Sequence, residues 1–587
     1  MPRYTVRGTK KTVELNDRNF IAQGGEGSIY VIGDIVYKIC HAGAMIPEQK
    51  FQELSVLKHP SIVQPIDMVL DSHKSLVGYT MALVPGNAMP LAQILTKTYR
   101  EREGVKPQQM ADLAKQMAEA IRFIHKHPGY LQVDGNEFNY MITNNHKDVF
   151  LIDVNSFQTP SFPADAIMPS IRDWSVHGDS MTGFYKWSPL SDWYSFSIIS
   201  FLMFTGAHPY KQRHPDFQNI KTAMTDQMQA GVSILDPKSQ FPKAAVYSPF
   251  EDYIPGGKDG AYMQWYRAIF LDKKRTPAPD SFQAAIHVAA KIVEIIGSNN
   301  FDIKELSKFT DQVVGYLANQ KKEVVVTTKN VYVNGHGKLR PEGKLRIGFT
   351  PSNVPIAFSL KDNKLLCENM ESSVPVLNQM LPNQFAPEDI MSCEGRVYLR
   401  VDENVFEVEC IEQKSKILPT LRFVAKVMPA ATRFYQGVAV QDMFGARLVS
   451  VFPETGHHRL IKIPELEKVQ ITDAKYEGNV LMALVFDKEM GQYHRYIFRF
   501  TKDWQGYDTR KIEDVNSTGL NFTVLSNGIV VCMTEEEKIE IFSSQHGQTG
   551  VKSISDPAIR ADMHLCHNEA QARFALDTKV FSISVKK

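Results

Sequence analysis

Between residues 13 and 86 apolar and polar positions alternate in short runs broken by glycine. GSIYVI (27–32) and IVYKIC (35–40) flank Gly33-Asp34, a pattern that predicts a tight β-hairpin. From residue 87 to 298 the period lengthens. Apolar residues recur every three or four positions over 108–127, 190–206, 261–271 and 280–297, which predicts helices. WYSFSIISFLMFTGA (193–207) is apolar nearly throughout, but it is too short and too rich in serine to span a bilayer. It reads as a buried helix. The polar-flanked stretch 299–325 reads as a helical linker. Beyond about residue 325 the helical period disappears.

What replaces it is a repeat. RVYLRVDENVFEV (396–408) is a strand, an acidic turn and a strand. Similar units stand at 356–368, 437–452, 480–500, 529–542 and 572–585. Their turns align on Asp362, Asp402, Asp442, Asp487, Glu535 and Asp577, at intervals of 40, 40, 45, 48 and 42 residues. An all-β unit of that length predicts propeller blades, here a six-bladed β-propeller over 326–587. A β-sandwich with evenly spaced hairpins is the alternative. Its last unit would be completed by a strand such as KNVYVNG (329–335), and the region would fold on its own core. Residues up to about 320 would then keep their own fold when cut free.

Length and composition fit this multidomain picture. At 587 residues the chain exceeds one ordinary core. A net charge of +1 gives no electrostatic footprint for nucleic acid or a membrane surface. Six scattered cysteines without a C-x-x-C pair predict neither a disulfide framework nor a zinc site. The basic start, MPRYTVRGTKKTVEL, has no apolar signal-peptide core, and a cytoplasmic location is expected.

The densest chemistry lies at LQVDGNEFNYMI (131–142), between a helical stretch and the short strand of VFLIDVNSF (149–157). A polar turn whose side chains cap backbone groups would explain Asp134 and Asn139. Other residues widen the picture. QGGEGSIY (23–30) is a glycine turn in which Gly25 and Gly27 would let backbone amides close over phosphate. Lys38 sits among apolar neighbours, where a lysine needs an anionic partner.

Taken in order, these elements resemble the protein-kinase fold over about residues 13–298. Asp192 in SPLSDWYSF resembles the family's D-x-W-S-x-G aspartate, and Arg275 in KKRTPAPDSF its late arginine. LIDVNSFQ and TGAHPY look like a divergent bacterial and phage group. The implied fold is multidomain α+β: an N-terminal tail (1–12), a bilobal kinase-like domain (13–86 and 87–298), the linker (299–325) and the propeller (326–587). The implied activity is ATP-dependent transfer to Ser/Thr hydroxyls of proteins, with the β-repeat half recruiting a protein partner.

The resemblance makes Asp134 the base for the acceptor hydroxyl. Asn139 and Asp153 become ligands of Mg²⁺ or Mn²⁺, and Lys38 the cation on the ATP phosphates. Gly25, Gly27, Val36, Met81 and Leu83 would line the nucleotide. Glu48 is the expected partner of Lys38, with Glu53 as the alternative. The sequence also departs from the family. H-R-D is Gln132-Val133-Asp134, D-F-G is Asp153-Val154-Asn155, and the third loop glycine is Tyr30. No A-P-E stands between Asp153 and Asp192, which leaves Arg275 without its usual glutamate. The lost arginine puts switching by loop phosphorylation in doubt. A pseudokinase scaffold and a small-molecule kinase therefore stay open beside an active protein kinase.

Overall fold

The computed structural model describes residues 3–164, 167–178, 185–219, 222–240, 250–280, 297–319, 322–378, 381, 385–516 and 519–586. The N-terminal sheet has seven antiparallel strands: β1 (Arg3–Val6), β2 (Thr12–Glu14), β3 (Phe20–Gln23), β4 (Gly27–Ile32), β5 (Ile35–Cys40), β6 (Pro65–Leu70) and β7 (Leu76–Ala82). Their order is β2-β1-β6-β7-β5-β4-β3. Ile32 pairs with Ile35 across the predicted hairpin, and Gly33 takes the positive φ that its two-residue turn demands. Of the tail expected at 1–12, the described residues 3–12 are not free. Thr5 and Val6 pair with Leu70 and Val69, so β1 extends the sheet.

Seven helices follow among the described residues: α1 (Glu48–Leu54), α2 (Leu91–Ile94), α3 (Lys97–Glu103), α4 (Pro107–His125), α5 (Pro189–Thr205), α6 (Ala223–Ala230) and α7 (Ala261–Phe270). Pro107 opens α4 at the position where its missing N–H costs nothing. Met110, Leu113, Met117, Ile121 and Ile124 bury one face of that helix. α5 is buried almost all round, as its composition predicts, and ends at Gly206 with φ +72°. Its serines give their hydroxyl protons to main-chain oxygens, Ser197 to Tyr194 and Ser200 to Phe196, so no donor is stranded in the core. The helix expected at 280–297 falls almost wholly outside the described residues.

The second half corrects the expected fold class. Strands take 42% of the structure and helices 17%, so the chain is mostly β rather than α+β. Seven small antiparallel sheets stand where a six-bladed propeller was expected. Each of the six units read from the sequence is a hairpin within one sheet, central in five of them and at the edge of the three-stranded sheet for 356–368. The uncounted sheet is built from Val313–Asn319, Lys322–Thr327, Asn330–Val333 and His336–Leu339. Its strands begin inside the supposed linker. That linker is not helical: Phe301–Lys308 is a strand pairing with Lys579–Val585. This strand, rather than 329–335, completes the sheet of the last unit.

The two halves share one core. A single cluster runs from Met117 and Ile199 through Phe138 to Phe486, Tyr493 and Phe522. Phe20 also stacks on Phe444, with ring centroids 4.3 Å apart. At the far end Glu103 of α3, only 3% exposed, accepts from Arg346 and Arg102, each at 2.8 Å. Burial alone would raise the Glu103 pKa, but Arg346 and Arg102 hold it well below the ordinary carboxylate range. A carboxylate held down in this way stabilises the fold above its ordinary pKa and loses that contribution as pH falls below it. Glu103→Gln should therefore cost about 3–5 kcal/mol near neutrality, by leaving buried arginines without their counter-charge. Urea melts should show the wild type and variant converging as pH is lowered through the glutamate range and beyond. Parallel curves would remove the ion pair from the account.

Candidate functional site

The first cluster forms around Lys38, on β5 in the sheet interior and only 6% exposed. Its ammonium donates to Glu26 Oε2 at 2.7 Å, Asp153 Oδ1 at 3.0 Å and Asn155 Oδ1 at 3.1 Å. Asn155 also accepts from the Tyr79 hydroxyl at 3.0 Å and donates to Glu26 Oε2 at 2.8 Å. Burial works against the charged lysine, but Tyr79, Asp153 and Glu26 outweigh it and raise its pKa. The chain thus joins its glycine turn to the turn after 149–151 through one cation.

Neither helix glutamate reaches that cation. Glu48 accepts from Arg7 at 2.7 Å on the surface. Glu53 accepts from Gln49 at 3.2 Å and from the Ser161 N–H at 3.3 Å. Glu26 holds Lys38 where Glu48 was expected. The signal was present, since Glu26 is the one acid in the glycine turn, but the expectation of a helix partner passed over it.

The glycine turn is only partly a cradle. Around Gly25 a side chain would meet open space, whereas a Cβ on Gly27 would collide with the Ile39 carbonyl. Gly27 is therefore required by the close approach of β5. Val36 and Met81 are direct cross-strand partners on β5 and β7. Leu83 follows at the exposed end, its N–H donating to Asp34 O at 2.9 Å.

The second cluster is the loop 131–139. Asp192, near the start of α5, accepts from Gln132 N at 2.9 Å and Val133 N at 2.8 Å, and pairs with His125 Nε2 at 2.8 Å. These bonds hold Val133 at φ +59°, a left-handed conformation that a β-branched residue adopts only under constraint. The next residue, Asp134, is placed by that kink. Its carboxylate accepts from Met168 N at 3.0 Å, Asn136 Nδ2 at 3.0 Å and Asn139 Nδ2 at 3.2 Å. Burial raises the Asp134 pKa against the pull of the Met168 and Asn136 donors, and the Asp153 charge adds to the rise.

The strands Tyr140–Ile142 and Val149–Leu151 pair, and Ile152 N donates to Asn139 O at 2.9 Å. This brings the Asn139 and Asp153 ends of the two strands together. With its amide nitrogen turned to Asp134, the Asn139 oxygen has no hydrogen-bond partner among the described residues. Asp153 keeps one oxygen clear of Lys38. Two hard oxygen donors of this kind fit Mg²⁺ or Mn²⁺ that takes its remaining ligands from phosphates and water. Among the described residues there is no group of three or more His, Cys, Asp or Glu for an all-protein metal site.

Arg275 does find a carboxylate. It donates from Nε to Asp173 Oδ2 at 2.6 Å and from Nη2 to Oδ1 at 3.0 Å, against the Tyr194 ring. Asp173, within IRDWS, is its partner. All six cysteines are free, and among the described residues no helix is long and apolar enough to cross a membrane.

No family model matches the chain, and no curated protein matches it. Among solved structures, the Cydia pomonella granulovirus kinase PK-1 overlaps with 36% of this chain and 75% of its own, at 13% identity and a TM-score of 0.26. An overlap that loose decides nothing about chemistry, so the functional reading stands on the side chains.

Proposed function

We propose that the protein is an ATP-dependent phosphotransferase acting on Ser/Thr hydroxyls of a protein acceptor. The observation that carries this reading is the chain of contacts that links Lys38 to Asp153, although they are 115 positions apart, and Asn139 to Asp134, with Ile152 N bound to Asn139 O beside Asp153. In the step, the acceptor oxygen attacks the γ-phosphorus and the bond from that phosphorus to the β–γ bridging oxygen breaks. ADP leaves, and the hydroxyl proton passes to Asp134. Lys38 sets a fixed positive charge against the nucleotide phosphates. Asn139 and Asp153 would hold the divalent cation, which neutralises phosphate charge when bound. The second half would help to seat the protein acceptor beside the loop.

A scaffold that binds nucleotide without transfer has one observation in its favour: both Asp134 oxygens already accept protein donors. The deciding experiment separates binding from transfer. Mg·ATP at 100 times its Kd should stabilise the protein by about 2.7 kcal/mol. Asp153→Ala should abolish that shift. Radiolabel from γ-labelled ATP should reach a generic acceptor protein. No thermal shift at millimolar Mg·ATP would reject the nucleotide site, and a shift without transfer would select the scaffold.

A further inference from the structure

The loop that carries Asp134 has no cation of its own. LQVDGNEFNYMI contains neither lysine, arginine nor histidine, and Lys38 is committed deep in the sheet. A cation nevertheless stands over this loop, and it belongs to the second half. Strands Val480–Asp487 and Gln492–Phe500 form a hairpin whose turn carries Lys488.

Three contacts fix the hairpin. Tyr493 donates its hydroxyl to buried Glu137 Oε1 at 3.0 Å. Phe486 packs on Phe138 with ring centroids 5.0 Å apart. Gly491 lies so close to Pro169 and Ser170 that a Cβ there would sit 3.5 Å from the Ser170 nitrogen. The residue before Pro169 is Met168, whose N–H binds Asp134. The turn thus touches both segments that frame the proposed base.

Lys488 is exposed, with its ammonium 5.6 Å from the Phe138 ring centroid. Among the described residues it has neither a hydrogen bond nor an ion pair. Its neighbour Asp487 is occupied in capping the turn, accepting from Glu489 N at 3.0 Å and Met490 N at 3.2 Å. The lysine charge is felt at the loop: it draws the Asp134 and Glu137 carboxyls downward, against the dominant effect of burial.

We infer that Lys488, supplied by the second half, is a catalytic residue of the first-half site, meeting the transferring phosphoryl oxygens on the acceptor side. The inference rests on the phosphotransfer reading above. As the γ-phosphoryl group leaves ADP for the acceptor oxygen, its equatorial oxygens need positive charge beyond that of Lys38. A lysine whose ammonium stands over the Phe138 ring, in the loop that carries the base, can supply it without first breaking an ion pair. The two halves would then form one active site.

The test uses the full chain with Mg·ATP and a generic acceptor protein. Lys488→Met removes the charge but keeps an unbranched side chain, Lys488→Arg keeps the charge, and Lys502→Met is a control beyond the far end of the same hairpin. Lys488→Met should lower kcat roughly 10- to 100-fold. Its ATP affinity should stay within about twofold of wild type. Lys488→Arg should recover most of the rate, and all three variants should melt with the wild type. Transfer by Lys488→Met at the wild-type rate overturns the inference and leaves the phosphotransfer reading standing. Equal losses in the Met and Arg variants also overturn it, because the role would then be packing. A wild type that binds Mg·ATP but transfers no phosphate overturns both.

Discussion

Asp134→Asn should lower phosphate transfer by about 10²–10⁴-fold, the range expected for a positioned general base, and leave Mg·ATP affinity nearly unchanged. The amide has the shape of the carboxylate but cannot take the acceptor proton. Met168 and Asn139 approach the site from the protein side, so an asparagine oxygen can keep part of that network. The loss therefore belongs in kcat rather than in nucleotide binding. The wild-type pH profile supplies an independent check. Burial, with the Asp153 charge adding to it, raises the Asp134 pKa above the ordinary aspartate value. The base is active only when ionised, so activity should be present above that raised pKa and fall as pH drops through it. The residual rate of Asp134→Asn should lack this acidic limb. A variant with wild-type kcat would mean that Asp134 caps the loop and does no proton chemistry.

Separating the halves should be more destructive still. A chain ending near residue 320 is expected to lose cooperative folding, contrary to the independence that the repeat pattern suggests. It would strip Phe486 from Phe138, Arg346 from Glu103 and Tyr493 from Glu137. Each large apolar side chain is worth about 1.5–3 kcal/mol of burial, so the cluster around Phe486, Tyr493 and Phe522 rivals the whole stability of an ordinary domain. Circular dichroism and calorimetry of the intact protein should show one transition including both halves. A soluble 1–320 fragment with its own sharp melt and undiminished Mg·ATP binding would show that the shared cluster is dispensable.

These results separate what local pattern specifies from what only packing decides. α4 and α5 were legible because nearly every buried position follows the helical period or the apolar run. The hairpins were legible because acids such as Asp362, Asp402 and Asp577 adopt left-handed turn conformations. Residues 301–308, FDIKELSK, were not. Their lysines and single glutamate favour helix, and the strand exposes most of its side chains; pairing with Lys579–Val585 overrides the local preference. Lys38 touches Asp153 and Asp134 touches Asn139 in the fold, contacts that the order of these residues along the chain does not by itself specify. The partners of Lys38 and Arg275 were less legible, although Glu26 stands out as the one acid of the glycine turn. Several acids were available to each, and the choice of Glu26 and Asp173 depends on how distant segments approach.

The pairing of Phe301–Lys308 with Lys579–Val585 also bears on how the protein is made. A ribosome must translate the roughly 270 intervening residues before the earlier strand meets its mate, a delay on the order of tens of seconds at ordinary elongation rates. For the first two-thirds or so of that interval the nascent first half lacks the Phe486 and Tyr493 side chains that complete its apolar cluster. Its folding is thus tied to a late, long-range closure, the kind of topology that slows folding and lengthens exposure to aggregation. Synthesis without chaperones should yield mostly insoluble product, and slower elongation alone should not rescue it, because the missing segment would still arrive last.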